Sequence, residues 1–130
     1  MKSAFCISLS LIFALSACAP QKTRQPSDGI SDAFFSGQAY WDANNNGVID
    51  EADTPLQGAT FIARDDRGAE FGTLTDSQGA AFITFPGGSQ YPVTLRMEPP
   101  KESALPGVIP AEVILKSASG DTIQFLFFSP

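Results

Sequence analysis

From Gly37 onward no stretch of this chain sets its apolar residues at helical spacing. They come instead in short β-branched and aromatic runs, each cut off by a cluster of Gly, Pro, Asp or Ser. The runs fall at Gly37 to Trp41, Ala59 to Arg64, Glu70 to Thr75, Ala80 to Phe85, Tyr91 to Met97, Ala111 to Leu115 and Thr122 to Phe128. Between them stand Asp65-Asp66-Arg67-Gly68, Asp76-Ser77-Gln78-Gly79, Pro86-Gly87-Gly88 and Ser117-Ala118-Ser119-Gly120, whose residue types close turns. Seven short strands at this spacing predict an all-β domain folded as a two-sheet, seven-stranded β-sandwich. No internal repeat is visible, which argues against a solenoid or propeller.

The amino terminus has another character. Lys2 is followed by Phe5, Ile7, Leu9, Leu11, Ile12, Phe13 and Leu15, the charged-then-apolar order of a secretory leader. The run ends at Leu15-Ser16-Ala17-Cys18, which resembles the lipobox of bacterial lipoproteins. That resemblance implies a signal peptide over residues 1–17 and a lipid-bearing Cys18 at the start of the mature chain. Two or more acyl chains suffice for stable anchoring where one is marginal, so the membrane is the first expected partner. Ala19 stands where, in such lipoproteins, Asp retains the protein at the inner membrane. The expected residence is therefore the outer membrane, facing the periplasm or the cell surface.

Residues 18–34 hold almost no apolar side chain and are expected to be a flexible tether, reaching about 20 Å from the lipid. Residues 35–130 remain as one domain. Of the two cysteines, Cys6 leaves with the leader and Cys18 is acylated, so no bridge is expected in an oxidising compartment. Stability must come from a core, a metal, or both. The formal charge is −6, and removal of the leader takes away one Lys and no acid. An acidic surface of this kind disfavours nucleic acid and suits divalent cations.

One segment carries chemistry. Asp42-Ala43-Asn44-Asn45-Asn46-Gly47-Val48-Ile49-Asp50-Glu51-Ala52-Asp53 matches a twelve-residue calcium loop position by position. Calcium takes six to eight hard oxygens, and alternate residues of a curled loop turn theirs inward. Asp42, Asn44 and Asn46 supply side-chain oxygens, Val48 its carbonyl, and Asp50 a direct or water-borne contact. Gly47 permits the sharp bend, Ile49 fits the apolar eighth position, and Asp53 stands where a bidentate Glu is usual. The shorter Asp53 makes the last contact single-toothed or shifts it to Glu51, which weakens binding. The competing reading is an Asn-Gly turn with solvated carboxylates. Strand-like flanks interrupted by Gly37, Pro55 and Gly58 exclude a helical EF-hand pair.

The order Tyr40-Trp41-Asp42, Asn44, Asn46-Gly47, Asp50, Asp53, Pro55-Leu56-Gln57-Gly58-Ala59, then Thr75-Asp76-Ser77-Gln78-Gly79-Ala80-Ala81-Phe82, resembles the B-type domain of serine-aspartate-repeat adhesins. It covers nearly the whole domain. The resemblance implies a prealbumin-like or immunoglobulin-like sandwich with a calcium loop between its first two strands, acting as a spacer or presenting stalk. The chain departs from that family in carrying one module rather than an array, and in Ala81, where the family prefers an aromatic residue. Some related modules lock themselves with a Lys to Asn isopeptide bond. Here every Asn belongs to the loop, so no such bond is expected.

With no His, and with neither cysteine left as a free thiol, the mature chain lacks the commonest general bases, zinc ligands and thiol nucleophiles, and catalysis is not expected. No motif indicates a small-molecule substrate, and an uncharacterised hydrolase is the remote alternative. The nearer alternative is a docking or assembly lipoprotein that binds another envelope protein through a sandwich face or through the proline-rich loop from Glu98 to Pro110. Phe82, and the two faces of the last strand, raise that question. Trp41 is expected in the core, and Arg64, Arg67 and Arg96 as solvated charge.

Overall fold

The computed structural model describes residues 31–129, and the structural statements below concern those residues. The leader, Cys18 and the tether through residue 30 lie outside them. Nine strands and no helix are found: β1 (Ala33–Trp41), β2 (Thr54–Pro55), β3 (Thr60–Arg64), β4 (Glu70–Leu74), β5 (Ala80–Phe85), β6 (Val93–Glu98), β7 (Gly107–Ile109), β8 (Val113–Leu115) and β9 (Thr122–Phe128). They form two sheets. One runs β2-β1-β9-β7, with β5 also paired to β1; the other runs β4-β3-β6-β8.

The expected count of seven is thus corrected to nine. The additional strands are short and hold residues that form strands poorly: β2 ends on Pro55, and β7 begins on Gly107 after Pro106. A second correction concerns the domain boundary. Ala33 and Phe34, assigned to the tether, are the first residues of β1 and pair with Phe85 and Thr84.

Alternation builds the core. Along β1 the buried residues are Phe35, Gly37 and Ala39; along β5, Ala81, Ile83 and Phe85; along β6, Val93, Leu95 and Met97. These inward faces meet Phe61 and Ala63 of β3 and Phe125 and Phe127 of β9 in a single cluster. Phe61 and Phe125 lie 6.0 Å apart between the sheets, and Phe35 meets Phe85 edge-on at 5.4 Å. A Cβ on Gly37 would fall 2.8 Å from the Phe61 ring, so the bare backbone there lets the sheets close.

The first and last strands run parallel, from Ser36 beside Thr122 to Trp41 beside Phe127. This pairing holds the end of β1 in the middle of its sheet. The segment from Glu98 to Pro110 is not a free loop. Leu105 and Val108 pack on the core, and β7 pairs with β9. Leu126 on the second face of β9 is buried beside Ile109 and Tyr40.

Candidate metal centre

β1 ends at Trp41 and β2 begins at Thr54, its antiparallel partner. The connecting residues are therefore the twelve from Asp42 to Asp53. The Asp42 amide donates to the Phe127 carbonyl at 2.7 Å, and the Leu56 amide to the Ala39 carbonyl at 2.9 Å. Both legs of the loop are thus tied to the sheet, one through β9 and one through β1.

Within the loop the expected donor residues are brought together. Asp42 is buried, and its two carboxylate oxygens accept from Asn46 N at 3.1 Å and Gly47 N at 2.8 Å. Asp53, also buried, accepts from Ala43 N at 3.3 Å and Asp50 N at 2.9 Å. Asp50 is exposed and accepts from Asn44 Nδ2 at 3.1 Å, Asn46 Nδ2 at 2.5 Å and Ala52 N at 2.8 Å. Asn46 Oδ1 in turn accepts from Val48 N at 2.9 Å. The curl needs left-handed backbone at Asn45, φ 55°, and at Gly47, φ 73°, both residue types that tolerate it.

The charges of this loop are not balanced from within. Asp42, Asp50, Glu51 and Asp53 are its ionisable residues, and it holds no Lys or Arg. Buried carboxylates are ordinarily paired with a cation. The partners found for Asp42 and Asp53 are backbone amides alone. Hydrogen bonds from Asn44, Ala52 and Asn46 hold the Asp50 carboxyl below its ordinary value, so it is ionised at neutral pH. The donor set of carboxylate, amide and carbonyl oxygen fits a hard cation such as calcium and offers nothing to a soft one. Among the described residues no group of three His, Cys, Asp or Glu side chains is placed to hold a metal by itself. Asn44, Asn46 and the Val48 carbonyl would have to complete the sphere. Both Asn side chains now point their nitrogens at Asp50, and binding requires them to turn their oxygens inward. Glu51, the substitute considered for Asp53, is exposed.

Trp41, expected in the core, is 39% exposed. It occupies an inward position at the far end of β1, in register with the buried Phe127 and beside the loop.

One buried acidic residue outside the loop was missed from sequence. Asp65 is buried where β3 turns into β4 and accepts four hydrogen bonds: Arg67 N at 3.0 Å, Ala69 N at 3.0 Å, Arg67 Nε at 2.9 Å and Gln90 N at 3.1 Å. Burial opposes its charge, but the amides of Gln90 and Ala69 and the guanidinium of Arg67 outweigh that and hold its carboxyl below the ordinary range. Arg67 is thus not merely solvated charge: it lies 2.8 Å from Asp65 and also reaches the Gly88 carbonyl at 3.3 Å. This clamp joins two turns and is structural. The readable signal was the shared pattern of Asp65-x-x-Gly68-Ala69 and Asp76-x-x-Gly79-Ala80, in each of which the Asp side chain accepts from the second and fourth amides after it.

In comparison with known proteins, the chain matches no family model and no curated protein. Among solved structures it is similar to the Bacillus anthracis TIE protein, with 20% identity and a TM-score of 0.41, over 75% of this chain and 18% of that one. The chain thus spans less than a fifth of that protein's length.

Proposed function

We propose that this is an exported, lipid-anchored, non-catalytic envelope protein whose β-sandwich is a structural or surface-presenting module stiffened by one calcium ion. The observation that carries the reading is the loop from Asp42 to Asp53, with two buried carboxylates and no cationic side chain, at the junction of β1, β2 and β9. Asp42, Asn44, Asn46, Asp50 and Asp53 would hold the ion by side-chain oxygens and Val48 by its carbonyl. The ion supplies positive charge and a multi-point crosslink. The residues themselves set the hairpin and its anchorage, which is what a spacer or presenting module needs. The resemblance to serine-aspartate-repeat B-type domains points the same way.

The anchor rests on Leu15-Ser16-Ala17-Cys18 and is tested apart from the metal. With the full chain produced in a bacterium fed labelled palmitate, label accumulates in the wild type and not in Cys18→Ser, and the wild type fractionates with the outer membrane. Unlabelled wild type removes the lipid anchor. A docking role is the second reading, favoured by Phe34 and Phe82, which stack 5.6 Å apart on the outside of β1 and β5 at 53% and 60% exposure.

A further inference from the structure

Among the described residues β1 and β9 are the one parallel pair, and every other ladder in the two sheets is antiparallel. They lie side by side from Ser36 and Thr122 to Trp41 and Phe127. The Asp42 amide carries the pairing one residue further, by its 2.7 Å bond to the Phe127 carbonyl. Running the same way, both strands start at one pole of the sandwich and end at the other. At the first pole Ser31, just before β1, lines one cavity with Gly88 of the turn before β6 and Gly120 of the turn before β9. At the second pole are Phe128 and the loop from Asp42 to Asp53. At about 3.3 Å per residue, β1 sets Ala33 and Trp41 about 27 Å apart.

The ladder is also well backed. β1 is held on its other edge by β5, from Ala33 beside Phe85 to Gln38 beside Ala80. Phe35, Ala39, Phe125 and Phe127 are buried on the core side of the two strands and keep water from that side. A backbone group that loses its partner there stays without one, which makes the bond costly to break.

We infer that this parallel pair makes the domain a load-bearing link, built to resist tension between the residues before β1 and the pole that carries the loop. Its use in the cell rests on the presenting-module reading; the physics rests on strand geometry alone. Tension that draws the residues before β1 away from those after β9 slides the two strands past each other along their length. The evenly spaced bonds of a parallel ladder then share the load and fail together. A load that parts the same strands from their first-pole ends falls on Ser36 and Thr122 first, and the bonds fail in turn. The direction of the load therefore sets the force at which the fold gives way. A partner held at the second pole is held through the strong direction, and one held at the first-pole turns is not.

The test is single-molecule force spectroscopy of the full chain in chelator, carrying Cys6→Ser and Cys18→Ser so that only introduced cysteines take the handles. Handles at Ser31→Cys and Ser129→Cys load the two strands in shear. Handles at Ser31→Cys and Gly120→Cys load the same ladder from one end, and a side chain at Gly120 meets nothing within 4 Å. Ala118→Cys, exposed in the same turn, is a second attachment for that geometry. Near-ultraviolet circular dichroism confirms the fold of each variant before pulling. The shear pair is expected to unfold in one step, at a force at least about twofold higher than either one-ended pair. Equal forces in the two geometries, or a weaker shear geometry, overturn the inference. Both are measured without calcium, so a failed calcium site leaves this comparison unmoved, and a failed clamp leaves the calcium-dependent melting unmoved.

Discussion

The Gly47 amide donates to Asp42 Oδ2 at 2.8 Å, joining the sixth position of the loop to the first. That bond depends on backbone that glycine adopts without strain, φ 73°, at a place where an added Cβ meets nothing within 4 Å. Gly79 has nearly the same φ, 74°, but its Cβ would run into the Ala39 carbonyl oxygen, with Leu56 N at 3.2 Å. Gly47→Ala is therefore expected to cost about 1 kcal/mol of strain. Gly79→Ala adds a backbone clash and is expected to cost more than about 3 kcal/mol. Urea unfolding of both variants checks the order; equal losses would show that the packing at Gly79 is misread.

Thr75 fastens the chain after the loop. Its hydroxyl donates to the Leu56 carbonyl at 2.6 Å and accepts from Ala59 N at 3.0 Å, in a buried setting. Thr75→Val keeps the shape and orphans both backbone groups, so a loss of about 1 to 3 kcal/mol is expected. Because Leu56 N is bonded to Ala39, the variant should also weaken calcium binding. A calorimetric affinity unchanged in a destabilised variant would separate the two effects.

The clamp at Asp65 predicts a pH dependence. Its folded-state carboxyl titrates below its unfolded value, so its stabilisation is fully present above the unfolded value, near pH 4, and is lost as pH falls through the lower folded one. In chelator, the wild-type melting temperature is expected to fall between about pH 4.5 and pH 3. Asp65→Asn starts lower and falls less across that window. Parallel curves would remove the clamp from the acid response.

Strands were legible where alternation is strict. Phe35 to Ala39, Ala81 to Phe85 and Val93 to Met97 put every second residue in the core, and a register slip would expose them all. β2 and β7 were not legible, because two or three residues around prolines carry no period and exist only through their partners. That Asp42, Asn44, Asn46, Asp50 and Asp53 share one curled, hydrogen-bonded loop was readable from spacing. The turn closed by Asp65 was readable from its local pattern, but its clamp onto Gln90, 25 residues away, was not. Trp41 was misplaced because alternation gives the side a residue faces and not how far its neighbours cover it; on one side stands the buried Phe127, on the other the two exposed residues of β2.

Ion selectivity follows from the donors. A flexible loop of carboxylate, amide and carbonyl oxygens suits the 6–8 coordination of calcium better than the strict octahedron of magnesium. Trp41 is half-exposed beside Asp42 and is the chain's one Trp. Its emission is expected to shift on calcium addition and hardly at all on equimolar magnesium. Equal responses to both would point to charge screening.

The most direct measurement is thermal unfolding of the full chain in 1 mM calcium against chelator. Extracellular calcium modules bind with dissociation constants of about 0.1 to 1 mM, which gives roughly 0.4 to 1.4 kcal/mol at that concentration. For a domain of this size that is a rise of roughly 2 to 11 °C. Asp42→Asn and the exposed Asp50→Ala should each abolish the rise. Wild type melting at one temperature with and without calcium would contradict the account.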